Sequence, residues 1–286
     1  EIAQCLVGSE MCIRDSVSSN PNLRETPFLS PKDTYADGGW DAVKQDAEEK
    51  ADLLFSLGIN VNLAPVCDMT SDEYGFMYDR SFSSDVDMEN RYVRTVVETS
   101  KSKKLGTVLK HFPGYGNNSD THTGIAYDDR DYSEFENTDF KPFYQGIESG
   151  ADCILVSHNI VNCMDSEYPA SLSQKVHDIL RNEFKFDGVI MTDDLIMDAI
   201  TDFTGDEAAA VTAAKCGNDL LCCSSVNTQY PAVLEAVQNG EIPEAQVDAS
   251  VKRILKWKQN LGIFSIDTYQ KKVKSTEPTD TVGSEE

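Results

Sequence analysis

Two segments bring together side chains able to move protons and attack carbon. The first, residues 110–124, reads KHFPGYGNNSDTHTG. Lys110 and His111 close an apolar run, and the stretch after them, with Pro113, Gly114 and Gly116, is poor in helix formers and reads as a long loop. At its far side Asp120 and His122 flank Thr121. In extended backbone an i, i+2 pair points to one side. The Asp120 carboxylate can then accept a hydrogen bond from the His122 imidazole, fix its tautomer and raise its pKa, which suits a proton donor near neutral pH. A polar turn with incidental charges is the plainer alternative. In the second segment, residues 189–197, VIMTDDLIM, two carboxylates emerge directly from an apolar run. A carboxylate in that position must stay solvated, pair with a cation or act. Asp193 is the candidate nucleophile, with Lys110 or Arg80 as the cation that keeps it ionised, and Asp194 is expected to cap the helix that follows.

These side chains need elements to position them. Apolar runs at 59–66, 106–112, 151–157, 188–192 and 218–223 are continuous rather than alternating, as strands covered on both faces should be. Helical periods separate them. Segment 41–57 carries Val43, Ala47, Leu54 and Leu57 on one face and stops at Gly58, and the segment after Asp85 carries Tyr92, Val93, Val96 and Val97. Further helices are expected over 173–184, 207–215, 230–238 and 244–261. This alternation is that of βα units around a parallel sheet. The runs end in reactive groups: Asp68, then Lys110 and His111, then His158, then Asp193 and Asp194. A (β/α)8 barrel places its chemistry at the carboxyl ends of its strands, and so does a doubly wound sheet. The pattern therefore locates the site before it settles the architecture. His177, inside an expected helix, reads as a surface or satisfied core residue.

Composition narrows the function classes. The chain has 286 residues, 40% of them hydrophobic, and 25 Lys and Arg against 49 Asp and Glu give a net charge of −24. Such a balance repels nucleic acid and anionic membranes. No run approaches the ~20 apolar residues of a membrane span. Cys67, Cys153, Cys163, Cys216, Cys222 and Cys223 lie mostly within apolar runs, outside any CxxC pair, and read as buried, reduced thiols. The compartment stays open between cytoplasm and export. A metal hydrolase built on His111, Asp120, His122 and Asp193 is a competing idea, but the spacing matches no compact ligand motif such as HExxH, and no cofactor is expected. Residues 7–16, VGSEMCIRDS, look like a translated sequencing adapter, so residues 1–16 are expected to be non-native. Residues 265–286 are expected to form a disordered tail.

KHFPGYGNNSDTHTG and GVIMTDDLIMDAI resemble the two signature segments of family 3 glycoside hydrolases, specifically the single-domain bacterial β-N-acetylglucosaminidases (β-N-acetylhexosaminidases). NLAPVCDM followed by YDRSF resembles the third-strand segment of that family. The likeness spans residues 17–264. It implies a (β/α)8 TIM-type barrel and a retaining double displacement on terminal β-linked N-acetylglucosamine, in a muropeptide or a chitin fragment. It further implies Asp193 as nucleophile, His122 coupled to Asp120 as acid/base, and Arg80, Lys110, His111, Asp68 and His158 as residues of the sugar site. An imidazole in place of the second carboxyl group removes one negative charge, which could also admit phosphate as acceptor. The likeness begins after the first two strands of the barrel and its Glu-Gly-Gly segment, so the chain is expected to be N-terminally truncated and weakly stable or weakly active. A β-glycosidase of other sugar specificity and an inactive sugar-binding fragment are the alternatives.

Overall fold

The computed structural model describes residues 25–118, 121 and 124–267, with the backbone alone at 206 and 207. Residues 1–16 and most of the expected tail, residues 268–286, lie outside the described residues.

A curled sheet of five parallel strands organises the chain. Its strands are β1 (Val61–Asn62), β2 (Gly106–Phe112), β4 (Cys153–Val156), β6 (Val189–Asp194) and β7 (Leu220–Cys222), in the spatial order β1-β2-β4-β6-β7. A separate parallel pair joins β3 (Tyr127–Asp128) to β5 (Ile160–Val161). Every residue of β2 and β4 is buried, which explains why those runs carry no polar alternation. The run at 59–66 yields only two strand residues; beyond them Pro65 has no N–H to donate, while the Ala64 and Pro65 carbonyls still accept from the Val108 and Lys110 amides and a bridge joins Val66 to Lys110.

Helices connect the strands and cover the sheet. Helix α1 (Pro31–Ser56) begins ten residues ahead of the expected position 41: Ser30 caps it through the Asp33 amide, and Gly38 and Gly39 interrupt it. Helix α2 (Val86–Ser102) is capped by Asp85, which accepts from the Met88 amide, and buries Tyr92, Val93, Val96 and Val97 as expected. After α3 (Tyr132–Asn137) comes α4 (Phe140–Ser149), which the sequence reading passed over. Pro142 stands in its first turn, where a missing N–H costs nothing. Gly146 lets α4 settle onto β2, since a Cβ there would come within 2.5 Å of the Leu109 side chain. Helix α5 (Gln174–Asp178) runs on through a π turn, Ile179–Glu183. The chain then forms α6 (Asp198–Thr204), α7 (Asp206–Lys215), α8 (Val226–Gln238) and α9 (Glu244–Asn260).

The strand period divides the core into two layers. Leu109, Phe112, Ile154, Val156 and Ile190 face the covering helices, where Phe112 stacks on Phe140 and meets Phe143 and Phe184 edge-on. Val108, Cys153, Leu155, Val189 and Met191 face the other way and are met by Ile254 and Trp257 of α9. At the amino ends of β6 and β7 the buried Asp219 ties four groups together. Its carboxylate accepts from Arg181 at 2.6 Å, Arg253 at 3.0 Å, Ser250 at 2.7 Å and the Ile190 amide at 2.9 Å. His177 is a satisfied core residue whose Nδ1 donates to the Ser173 carbonyl at 2.7 Å. Of the six described cysteines all are free and four are buried; Cys163, contrary to the expectation, is exposed. Among the described residues no helix is long and apolar enough to cross a membrane.

Candidate active site

The carboxyl end of β2 meets the segment after β1. Asp68 follows the Val66 bridge by two residues and is completely buried. One of its oxygens accepts from the His111 amide at 3.0 Å and from His111 Nδ1 at 2.7 Å; the other accepts from the Tyr115 amide at 2.8 Å. Burial alone would raise the Asp68 pKa, yet the His111 ring and these amides hold it below the ordinary carboxylate value. With its proton on Nδ1, His111 presents a lone pair at Nε2, and Arg80 Nη2 donates to it across 3.2 Å. Burial pushes His111 down to about 4 against the pull of Asp68, and Arg80 and Lys110 add to the effect. The ring is therefore neutral near pH 7, a fixed link between a guanidinium and a carboxylate.

Removing the acceptor exposes what this link contributes. In Asp68→Ala three buried donors lose their partner; at roughly 1–3 kcal/mol for each unsatisfied group, partly relieved by water, a loss of about 3 kcal/mol is expected in denaturant melts. The acid response has a definite sign. As pH falls from 6.5 towards about 4, the unfolded chain takes up a proton at His111 that the folded chain refuses. Stability then drops with falling pH, and Asp68, depressed from 3.8, extends the drop to lower pH. His111→Gln should flatten the upper part of that slope, as chemical melts between pH 7 and 4 would show.

Asp193 stands at the end of β6, partly exposed, with Oδ1 accepting from the Asp194 amide at 2.9 Å. Burial works to raise its pKa, but His111, His158, Lys110 and that amide outweigh burial and hold it below the ordinary value. It is an ionised carboxylate beside a cation, the arrangement a nucleophile requires. Asp194 does not cap a helix. Four residues on, α6 begins at Asp198 behind Met197, with no side-chain cap, and the Asp194 carboxylate instead accepts from the Ile196 amide at 3.3 Å, the Ser224 amide at 3.2 Å and the Ser224 hydroxyl. It thus ties the end of β6 to the loop after β7.

His158, at the end of β4, is fully buried with both ring nitrogens engaged. Nε2 donates to the Asp194 carbonyl at 3.0 Å, and Nδ1 accepts from the Ser171 hydroxyl at 2.7 Å. The ring holds the backbone beside Asp193. Asp68 and His111 have their polar atoms similarly committed, so all three residues make positioning contacts at the strand ends.

The loop after β2 is fastened at its base and at Thr121. Arg130 donates to both oxygens of Asp128, to Asp139 at 2.9 Å and to the Gly114 carbonyl at 3.3 Å. Gly114, at φ 123°, lies so close to Asp139 that a Cβ would come within 2.3 Å of its carboxylate. Tyr115 packs edge-on to His111 at 5.3 Å and shares a 2.7 Å hydrogen bond with the Thr121 hydroxyl. Asp120 and His122 lie outside the described residues. The structure thus gathers Asp68, Arg80, Lys110, His111, His158 and Asp193 at the carboxyl ends of the strands, and it adds Tyr115, Arg130 and Ser171, which the sequence reading missed. Nothing in the sequence sets those three apart from other polar loop residues. Among the described residues no three His, Cys, Asp or Glu side chains gather as a metal ion would need.

Residues 28–257 match the Glycosyl hydrolase family 3 N terminal domain. A beta-hexosaminidase of Hydrogenovibrio crunogenus is 34% identical over 199 residues, covering 68% of this chain and 55% of the relative. One from Nitrosomonas eutropha is 33% identical over 174 residues, covering 60% and 50%. The chain thus spans about half the length of these curated relatives. Among solved structures, a family 3 beta-N-acetylglucosaminidase from Paenibacillus superposes with a TM-score of 0.77 at 29% identity, over 83% of this chain and 46% of that one. A family 3 glycosyl hydrolase from Mycobacterium smegmatis gives 0.76 at 27% identity, over 86% and 78%.

Proposed function

The chain belongs to glycosyl hydrolase family 3, and from that premise we propose that it carries the catalytic half-site of a retaining glycosidase that removes terminal β-linked N-acetylglucosamine. The observation that supports this most directly is the ionised Asp193, partly exposed at a strand end beside Lys110.

In this reading an Asp193 oxygen bonds to the anomeric carbon as the bond to the leaving oxygen breaks, and that oxygen takes a proton from His122. His122, oriented by Asp120, then takes a proton from water, whose oxygen displaces Asp193 and restores the β configuration. Arg80 and Lys110 hold sugar hydroxyls. Asp68 and His111 fix Arg80, and His158 fixes the backbone at Asp193. The substrate class is a β-N-acetylglucosaminide, as the names of the relatives suggest.

The test is an aryl β-N-acetylglucosaminide assay on the protein, with the first-formed anomer read by proton NMR. Release of β-N-acetylglucosamine is expected. Initial formation of the α anomer would exclude the double displacement, and cleavage of the matching glucoside alone would move the specificity elsewhere. A parallel reaction in phosphate buffer distinguishes water from phosphate as acceptor: free sugar supports hydrolysis and sugar 1-phosphate supports phosphorolysis.

A further inference from the structure

Glu89 is a fully buried carboxyl group in the first turn of α2, outside every motif considered above. Its Oε2 accepts from the Ser83 amide at 2.8 Å, and the neighbouring Phe82 backbone also favours the charged form of the carboxyl group. Its Oε1 is buried and has no hydrogen-bond partner. A carboxyl group with an unused oxygen is a costly occupant of a core, because each buried polar atom left without a partner costs about 1–3 kcal/mol. Packing does not call for it: its neighbours on the apolar face of α2, Tyr92, Val93 and Val96, join the aromatic cluster of Phe82, which stacks on Tyr92 at 4.7 Å.

What the group holds is more telling. Three residues before Ser83 stands Arg80, whose Nη2 meets His111 at 3.2 Å. The far end of the same segment is held by Lys32, whose ammonium donates to the Tyr78 carbonyl at 2.9 Å and lies 3.2 Å from the centre of the Tyr78 ring. Within it, the amides of Arg80 and Ser81 turn back onto the Met77 carbonyl at 3.0 and 2.9 Å. Arg80 therefore sits on a short turn fixed at one end by Lys32 and at the other by Glu89. The Arg80 Nε is buried without a hydrogen-bond partner, so few contacts of its own keep the guanidinium in place.

We propose that Glu89 is a positioning residue for Arg80, its carboxyl group fixing the Phe82–Ser83 backbone so that the guanidinium reaches both His111 and the sugar site. The inference rests on the reading of Arg80 as a sugar-binding residue. Burial, with Asp68 as the nearby like charge, raises the Glu89 pKa well above its ordinary value against the pull of Lys32. A carboxyl oxygen accepts the Ser83 amide in either protonation state. A glutamine can do the same.

The experiment compares Glu89→Ala, Glu89→Gln and Arg80→Ala in the full chain, using an aryl β-N-acetylglucosaminide and the 15N NMR signals of His111. In Glu89→Ala, KM is expected to rise about tenfold with a smaller change in kcat, and the His111 Nε2 signal to shift towards that in Arg80→Ala. Glu89→Gln should restore both to within about twofold of wild type. Adding Glu89→Ala to Arg80→Ala should cost nothing further in KM, because the residue to be positioned is already gone. Additive losses, or a Glu89→Gln variant as impaired as Glu89→Ala, would overturn the proposal. If Glu89→Ala does not fold, Glu89→Met, which fills the space without accepting the Ser83 amide, takes its place with the same expectations. A wild-type chain that cleaves no glycoside would overturn the functional reading alone, since the His111 signals still report whether Glu89 governs the Arg80 contact.

Discussion

Asp193→Ala is expected to reduce kcat/KM for an aryl β-N-acetylglucosaminide by roughly 10^4-fold or more, the scale on which loss of a covalent nucleophile acts. The expected loss is electrostatic as well as chemical. His111, His158, Lys110 and the Asp194 amide keep this carboxylate ionised despite burial. Alanine at this position leaves the Lys110 ammonium and the Asp194 amide facing a vacant space large enough for a small anion. Azide added to the variant should therefore attack the anomeric carbon from the face that Asp193 used and yield the α-glycosyl azide. The measurement is turnover of a substrate with an activated leaving group, with and without azide, and NMR of the product. A variant that keeps even a hundredth of wild-type activity without azide would remove Asp193 from the nucleophile role.

The second large effect is selective. His122→Ala is expected to slow substrates with poor leaving groups by about 10²–10⁴-fold, the range for loss of a general acid, and activated aryl glycosides far less in the step that forms the glycosyl-enzyme. A leaving group that departs as a stable anion needs no proton, so the ratio between the two substrate types isolates the acid role from binding. Asp120→Asn should reproduce part of the same selectivity, because an amide orients the ring without favouring its charged form. Equal losses on both substrate types would place His122 among the binding residues.

Much of the architecture could be read before any coordinates, and the reason is physical. Continuous apolar runs at 106–112, 151–157 and 188–192 mark strands buried on both faces; the first two contain the strands found there, and the third strand runs two residues further, to Asp194. The ends of those runs placed Lys110, His111, His158 and Asp193 at one end of a sheet. The sequence did not reveal what each polar side chain touches. His158 looks like a ligand in sequence because histidine is rare and stands at a strand end, yet its partners, Ser171 and the Asp194 carbonyl, come from elements 13 and 36 residues away. Asp194 looks like a cap because acidic residues commonly precede helices, but α6 starts too late for it to serve. Glu89 reads as one more charge in an acidic helix, and only the tertiary fold turns it inward. Helix α4 escaped because Pro142 masks a pattern in which Phe140, Phe143 and Ile147 already share a face. Local period and run length survive in sequence, while pairings across long separations do not.

The Asp219 cluster has a practical consequence. It joins Arg181, Arg253, Ser250 and the Ile190 amide at the amino ends of β6 and β7, whereas Asp193 and Asp194 lie at the carboxyl end of β6. What fastens these strands and what faces the candidate site are thus on opposite ends of the sheet. Close to the fastened end Lys256 projects an ammonium group whose side chain is 67% exposed, near Asp187. A support or a label coupled there would leave the opposite face open to a bulky glycan, and loop libraries built around the strand ends could be screened for new sugars without disturbing the anchor beneath them.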